Sequence, residues 1–348
     1  MNLLKRLESL CFLGSYINDF FQNKDNNFIY SNFNDVIENE VNYNPWFTRE
    51  NVEFALKHWG NLLQKENLEK WINLYEINKF ESVNPKNVLI IAAGNIPLVS
   101  FHDIISVFIT GHYSIVKTSS KDSNLLKTLL EVIKQGFPEI ESYIKIQEGI
   151  VNKYDAVIAT GGVQSQRYFE YYFGKYPHIF RSHKNSVAIL RGDETFYELE
   201  QLSNDVFRYF GLGCRSVSKL YVPQNYNFDY LIEAFKKWEH IFYHHFYLNN
   251  FDYQKTIYIL NKISFKDAGF YMLKESEEIY SPIGVIFYEY YSDISILASK
   301  LKTLSLHIQC IVSKENKYIN SIPFGMSQKP NLWDYADNVD VVKFLIQL

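Results

Sequence analysis

The stretch NVLIIAAGNIPLVSFHDIISVFITGHYSIVK, residues 87–117, decides the fold. Its opening, Asn87–Asn95, is a continuous apolar run of the kind found in a parallel strand buried on both faces. After Pro97, the residues Leu98, Phe101, Ile105, Phe108 and Ile109 fall on one helical face, and Gly111 is placed to cap that helix. Tyr113–Lys117 then reads as a second strand. Strand, helix and strand joined by short connections make a βαβ unit.

Working outward, the pattern continues. SSKDSNLLKTLLEVIKQGFP is a further helix with Gly136 and Pro138 as stop signals, and its SKDSN portion reads as a helix cap. Asp155–Thr160 is a strand, followed by Gly161-Gly162 and the helix-like VQSQRYFEYYFG; Ser186–Leu190 is another strand. Alternation of this kind predicts a doubly wound α/β sheet with right-handed crossovers. Upstream, residues 1 to about 82 read as helical, with VNYNPWFT as a break. In the first helix Leu3, Leu7, Leu10 and Cys11 share a face, and Arg6 and Glu8 interrupt what would otherwise resemble a signal sequence. Beyond about residue 190, ELEQLSNDVFRYF reads as a helix, SKLYV as a strand, FDYLIEAFKKWEHIFYHHF as one helix, and SPIGVIFYEY and HIQCIVS as strands. This region is assigned to a second α/β domain.

With 348 residues the chain exceeds the size of one common core, and its 47% hydrophobic content supports two. A formal charge of -4 and the lack of any long Lys/Arg run argue against nucleic acid as a partner. Three widely spaced cysteines, Cys11, Cys214 and Cys310, form neither a disulfide framework nor a zinc motif, so no metal is expected and a reducing compartment is. No apolar run approaches the roughly 18 residues of a membrane span. The expectation is a soluble, cytoplasmic protein.

Chemistry concentrates at a few turns. Cys214 follows Gly211-Leu212-Gly213, where a helix-like run stops and a strand-like run begins. Glycines let a substrate approach the backbone, so Cys214 reads as a nucleophile. Cys11 and Cys310 read as core. Gly161-Gly162 fits a phosphate at a helix N-terminus, and equally a plain strand-to-helix turn; no GxGxxG is present. Asn95 fits an amide donor to an oxyanion, and equally a turn residue bonded to its own backbone. His244 and His245 are adjacent, pointing about 100° apart on a helix, which suits packing better than metal binding. His102 reads as a satisfied helix histidine.

Five motifs in order resemble the aldehyde dehydrogenase superfamily, and within it the LuxC-type acyl-CoA reductases. They are Asn95-Ile96-Pro97, Val116-Lys117-Thr118-Ser119-Ser120, Thr160-Gly161-Gly162, Gly211-Leu212-Gly213-Cys214 and Glu277-Glu278-Ile279-Tyr280-Ser281-Pro282. The resemblance covers about residues 85 to 325. It implies N-terminal helices and a dinucleotide-binding domain over 1–188, a catalytic domain over 189–325, and a segment 326–348 returning to the cofactor domain. It also implies Cys214 as acyl acceptor and Asn95 as oxyanion donor. The cofactor would be held by Lys117, Ser119, Ser120, Gly161, Gly162, Glu278 and Tyr280.

Two departures refine this expectation. Aldehyde-oxidising relatives carry a glutamate base in a Glu-Leu-Gly-Gly-Lys strand, where this chain has RSHKNSVAI with Arg181 near that position. Without a base, water is poorly activated against a thioacyl enzyme, while thioester exchange needs none. That favours reduction of an acyl-CoA or acyl-carrier thioester to an aldehyde. Ser120 stands where NAD-preferring relatives often place a glutamate, and with Lys117 and Lys121 nearby it favours NADPH over NADH. The alternative is a non-catalytic nucleotide-binding scaffold or an acyl-transfer subunit. The resemblance also implies an acyl-activating or acyl-transferring partner protein and admits a homo-oligomer, although the short chain puts the superfamily's oligomerising hairpin in doubt.

Overall fold

The structure is a computed structural model describing residues 1–22, 30–81, 83–119, 121–182, 184–314 and 319–348. It resolves into two compact units, Met1–Ser182 with Asn331–Leu348, and His183–Pro330.

The first unit begins with five helices: α1 (Leu3–Gln22), α2 (Ser31–Tyr43), α3 (Arg49–Leu62), α4 (Lys65–Ile72) and α5 (Asn78–Glu81). There follow β1 (Asn87–Ile91), α6 (Phe101–Ile109), β2 (Tyr113–Lys117), α7 (Asn124–Gly136), α8 (Ile140–Tyr143), β3 (Ile144–Ile146), β4 (Ala156–Thr160), α9 (Val163–Phe173) and β5 (His178–Arg181). The strands form a parallel sheet in the order β3-β2-β1-β4-β5. The apolar run predicted for β1 is buried at Val88, Leu89 and Ile90, and α6 buries Phe101, Ile105, Phe108 and Ile109. Gly111 caps α6 at φ +88°, a conformation side chains resist. The helices α1 to α4 share the apolar core beneath β1 and α6.

The second unit contains β6 (Asn185–Ile189), α10 (Phe196–Phe207), β7 (Val217–Pro223), α11 (Phe228–Phe235), α12 (His245–Leu260), β8 (Lys266–Asp267), β9 (Met272–Glu275), β10 (Val285–Tyr291), α13 (Ile294–Thr303) and β11 (Ile308–Ser313). Its six strands run β11-β6-β7-β10-β9-β8, all parallel except the β8–β9 pair. The chain then re-enters the first unit and ends with α14 (Val341–Leu345). That return is pinned by hydrogen bonds. Trp71 Nε1 donates to Tyr335 Oη at 2.7 Å, and Tyr75 Oη donates to the Asp340 carboxylate at 2.9 Å.

Three local expectations are corrected. The helix expected over FDYLIEAFKKWEHIFYHHF breaks into α11, a 3-10 segment and α12, because His244 is extended (ψ 114°) and caps α12 by accepting from Tyr247 N–H. His244 and His245 therefore do not share one helix interior. The helical reading of ELEQLSNDVFRYF ends at Phe207, since Tyr209 and Phe210 both adopt φ +56°. Finally, Ser123 precedes α7 without any side-chain capping bond, so SKDSN is not a side-chain cap.

Candidate active site

Parallel pairing of β1 with β2 and β4 brings three expected loops to one sheet edge, at the carboxyl ends of the strands. Asn95 follows β1 and is exposed; Lys117 closes β2 and is exposed; Gly161 and Gly162 follow β4. The first two loops touch closely. Ala92 N–H donates to Lys117 O at 3.0 Å, and a Cβ added at Gly94 would lie 2.5 Å from Ser119 Oγ. Gly94 is thus required by the approach of Ser119. Ser119 Oγ also accepts from Lys121 N–H at 3.2 Å, folding the turn after β2. Ser120 lies outside the described residues.

The N-terminus of α9 is open. Its N-cap is Gly162, which offers no side-chain cap, and a Cβ built there would meet nothing within 4 Å. Free N–H groups at such an end favour a phosphate. Gly161 is different: its Cβ position lies 2.8 Å from Ser165 Cβ and 3.0 Å from Phe169, so it serves packing of the strand-to-helix turn.

Arg181, at the end of β5, is buried and forms a bidentate pair with the buried Asp103 of α6, Nη2 lying 2.7 Å from Oδ1. Its guanidinium is committed to that carboxylate. His102, one residue earlier, bonds Leu332 O at 2.8 Å through Nε2 and contacts Trp71 and Tyr335. It is a packed helix histidine.

In the second unit, Cys214 sits at the amino end of β7, half-buried. The backbone before it is unusual. Tyr209, Phe210 and Gly211 take φ of +56°, +56° and +76° in succession, making a left-handed turn that only Gly211 adopts without strain. Leu212 N–H closes this turn onto Tyr209 O at 3.0 Å, and Ser216 N–H closes the next onto Gly213 O at 2.9 Å. Phe210 is buried and packs on His244, with ring centroids 4.3 Å apart, which holds the strained residue in place.

Several supporting residues carry no motif and were missed in the sequence. Ser186 Oγ donates to the Cys214 carbonyl at 3.1 Å and lies 3.0 Å from Cys310 Sγ. Burial pushes the Cys310 thiol up to about 11, so it stays protonated and inert. Asp205 of α10 accepts from Gly325 N–H, Ser327 N–H and Ser327 Oγ at 2.6 to 2.8 Å, and Gln328 reaches Ser216 Oγ at 3.1 Å. Burial raises the Asp205 carboxyl to about 6 against those hydrogen bonds.

The segment carrying Glu278 and Tyr280 is fastened to the strand that follows Cys214. Ser218 Oγ donates to Ile279 O at 2.8 Å, and Lys219 Nζ donates to Glu277 O at 2.9 Å. Lys219 is fully buried; burial lowers its basicity, while the 2.5 Å pair with Glu289 acts against that loss. Glu278 and Tyr280 remain exposed. A small cavity beside the turn before Cys214 is lined by Phe207, Phe210, Leu212, Tyr247, Tyr271 and Tyr280. Among the described residues, no group of three or more acidic, histidine or cysteine side chains is arranged to hold a metal.

The profile of the acyl-CoA reductase family named LuxC matches residues 21–236. The chain belongs to this family. The LuxC match takes in the Asn95, Lys117, Gly161 and Cys214 turns, and most of the N-terminal helices besides. Among solved structures, aldehyde dehydrogenase 21 from Physcomitrella patens, in complex with succinate, is 14% identical with a TM-score of 0.66, over 100% of this chain and 84% of that one. An NAD-dependent benzaldehyde dehydrogenase from Corynebacterium glutamicum is 10% identical with a TM-score of 0.65, over 93% and 81%. An aldehyde dehydrogenase from Bacillus cereus in complex with NAD+ is 11% identical with a TM-score of 0.63, over 93% and 76%. These likenesses establish an aldehyde dehydrogenase-like fold for this LuxC-family chain. No curated protein matches it. Among the described residues, no helix is long and apolar enough to cross a membrane.

Proposed function

We propose that the chain reduces an acyl-CoA or acyl-carrier thioester to an aldehyde, with Cys214 as the acyl acceptor. The observation that carries this reading is the Cys214 turn. A half-buried thiol follows a left-handed turn opened by Gly211, and its carbonyl is fixed by Ser186. A packing cysteine needs none of these arrangements.

In this reading the Cys214 thiolate adds to the acyl carbon, and the C–S bond to the carrier breaks, releasing its thiolate. Asn95 and the Cys214 N–H are assigned to the oxyanion that forms meanwhile. Arg181, tied to Asp103, supplies no base to activate water, so the thioacyl enzyme is spared hydrolysis. A nicotinamide cofactor fits the first unit: the uncapped α9 N-terminus at Gly162 suits its phosphates, with Lys117 and Ser119 at the neighbouring strand end. Glu278 is assigned to its nicotinamide ribose, and Tyr280 to binding of the cofactor. Held there, the cofactor would supply a hydride to the thioester carbon, and breaking of the C–S bond to Cys214 would release the aldehyde and return the thiolate. The exposed cations Lys117 and Lys121 favour NADPH through its 2′-phosphate.

The test is to follow nicotinamide absorbance with a series of acyl-CoAs, using NADPH and NADH in parallel. Aldehyde formation matched one-to-one by cofactor oxidation supports the proposal. A folded protein that oxidises neither cofactor with CoA or carrier-bound thioesters overturns it.

A further inference from the structure

Three side-chain bonds hold the backbone on which Glu278 stands. Lys219 Nζ donates to Glu277 O at 2.9 Å, Ser218 Oγ donates to Ile279 O at 2.8 Å, and Ser276 Oγ accepts from Glu278 N–H at 3.3 Å. The carbonyls on either side of Glu278 are therefore both fixed, and both from β7. Consecutive strand residues ordinarily face opposite ways. Here the pairing of β7 with β6 slips by one residue, since Ser186 opposes Val217 while Val187 opposes Lys219. A slip of this kind leaves Ser218 as the extra residue and re-aims side chains, so that Ser218 and Lys219 reach the same segment.

We propose that Lys219 is the positioning residue for Glu278, setting where this carboxylate meets the cofactor. The inference rests on the reading of Glu278 as the ligand of the nicotinamide ribose. Residues 276–284 belong to no helix or strand, and Glu278 itself is exposed, so its place depends on bonds made to its backbone. A lysine is a costly residue to bury, and Lys219 is 0% exposed. Its ammonium lies 2.5 Å from Glu289 Oε2 and 4.8 Å from the centre of the buried Tyr221 ring, while Glu289 also pairs with Lys300. Glu289 thus balances the charge, and the bond to Glu277 O is a further contact that charge balance does not require. Because β7 begins just after Cys214, the acyl acceptor and the cofactor ligand take their positions from one strand.

The experiment compares Lys219→Met, the double variant Lys219→Met/Glu289→Met and Glu278→Ala with the unaltered protein, all full-length. Each is titrated with NADPH and with NADH by fluorescence, without acyl-CoA, and the rate of Cys214 alkylation by iodoacetamide is measured alongside. Lys219→Met should weaken Kd for the preferred cofactor about tenfold, the order of one lost hydrogen bond to a charged group. Cys214 alkylation should change less than about twofold, because the bonds of its own turn are untouched. The double variant leaves no carboxylate stranded, so it keeps the test open where Lys219→Met fails to fold. It should remain about tenfold weak, since the donor to Glu277 O is still missing. Binding restored in the double variant overturns the inference, because a stranded charge then caused the loss. An equal change in Cys214 alkylation also overturns it, as the mark of a general structural role. Weakened binding in Glu278→Ala with none in Lys219→Met overturns the positioning role alone. Full binding in Glu278→Ala, or binding of neither cofactor to the unaltered protein, overturns the ribose reading and this inference with it.

Discussion

The hydroxyl of Ser186 donates to the backbone carbonyl of Cys214 at 3.1 Å, joining the first strand of the second unit to the Cys214 turn. The bond fixes the carbonyl of the residue proposed as the acyl acceptor. Replacing Ser186 by Ala removes it and leaves a part-buried carbonyl short of a donor, at a cost of about 1 kcal/mol. Turnover should fall roughly tenfold through displacement of the thiol. Rates of Cys214 alkylation by iodoacetamide and kcat, measured on Ser186→Ala, check this; unchanged values for both would mean the turn is held by other contacts.

Asp103 and Arg181 should behave as a structural pair. Each is buried, and removal of one strands a charge without its partner. Asp103→Asn is expected to destabilise the first unit by about 3–5 kcal/mol in urea unfolding. A loss below about 1 kcal/mol, the range of exposed pairs, would contradict the assigned burial.

His112 should make the first unit acid-sensitive. Its Nδ1 accepts from Lys86 N–H at 3.0 Å and its Nε2 bonds Leu345 O at 3.0 Å, a combination that requires the neutral ring. Burial lowers its pKa, with the Leu345 bond opposing. Its folded pKa therefore lies below the unfolded value of about 6.5, so its contribution is complete above that pH and is lost as pH falls toward the folded value. Thermal melts between pH 7 and 5 should show a decline that is smaller in His112→Gln. Parallel declines in the two proteins would refute the assignment.

Cofactor preference should respond to Lys121. The side chain is exposed on the turn after β2, next to Ser119. Lys121→Glu should raise KM for NADPH about tenfold, the effect of about 1.4 kcal/mol from exchanging attraction for repulsion, while KM for NADH changes little. Equal effects on the two cofactors would remove this lysine from 2′-phosphate recognition.

The parts of the fold legible in the sequence are those governed by short-range patterns. The apolar run at Val88–Ile90 and the helical face from Phe101 to Ile109 translate directly into burial, and Gly111 takes the left-handed cap its position demands. The short strands β3 and β5 escaped notice because three or four residues such as Ile144–Ile146 carry too little period to separate from a loop. The break at His244 and the left-handed Tyr209-Phe210 pair were illegible for another reason. The two features meet where Phe210 packs on His244, a contact between residues distant in sequence. The supporting residues Ser186 and Asp205 likewise have meaning only through partners far along the chain.

On the proposed function, Cys214 carries the acyl group. Intact-mass and peptide-mapping measurements on protein mixed with acyl-CoA, without nicotinamide, test it most directly. One acyl adduct per chain is expected, mapped to Cys214, lost in Cys214→Ser and discharged on adding NADPH with release of aldehyde. An adduct on Cys11 or Cys310, or full aldehyde production by Cys214→Ser, would contradict it.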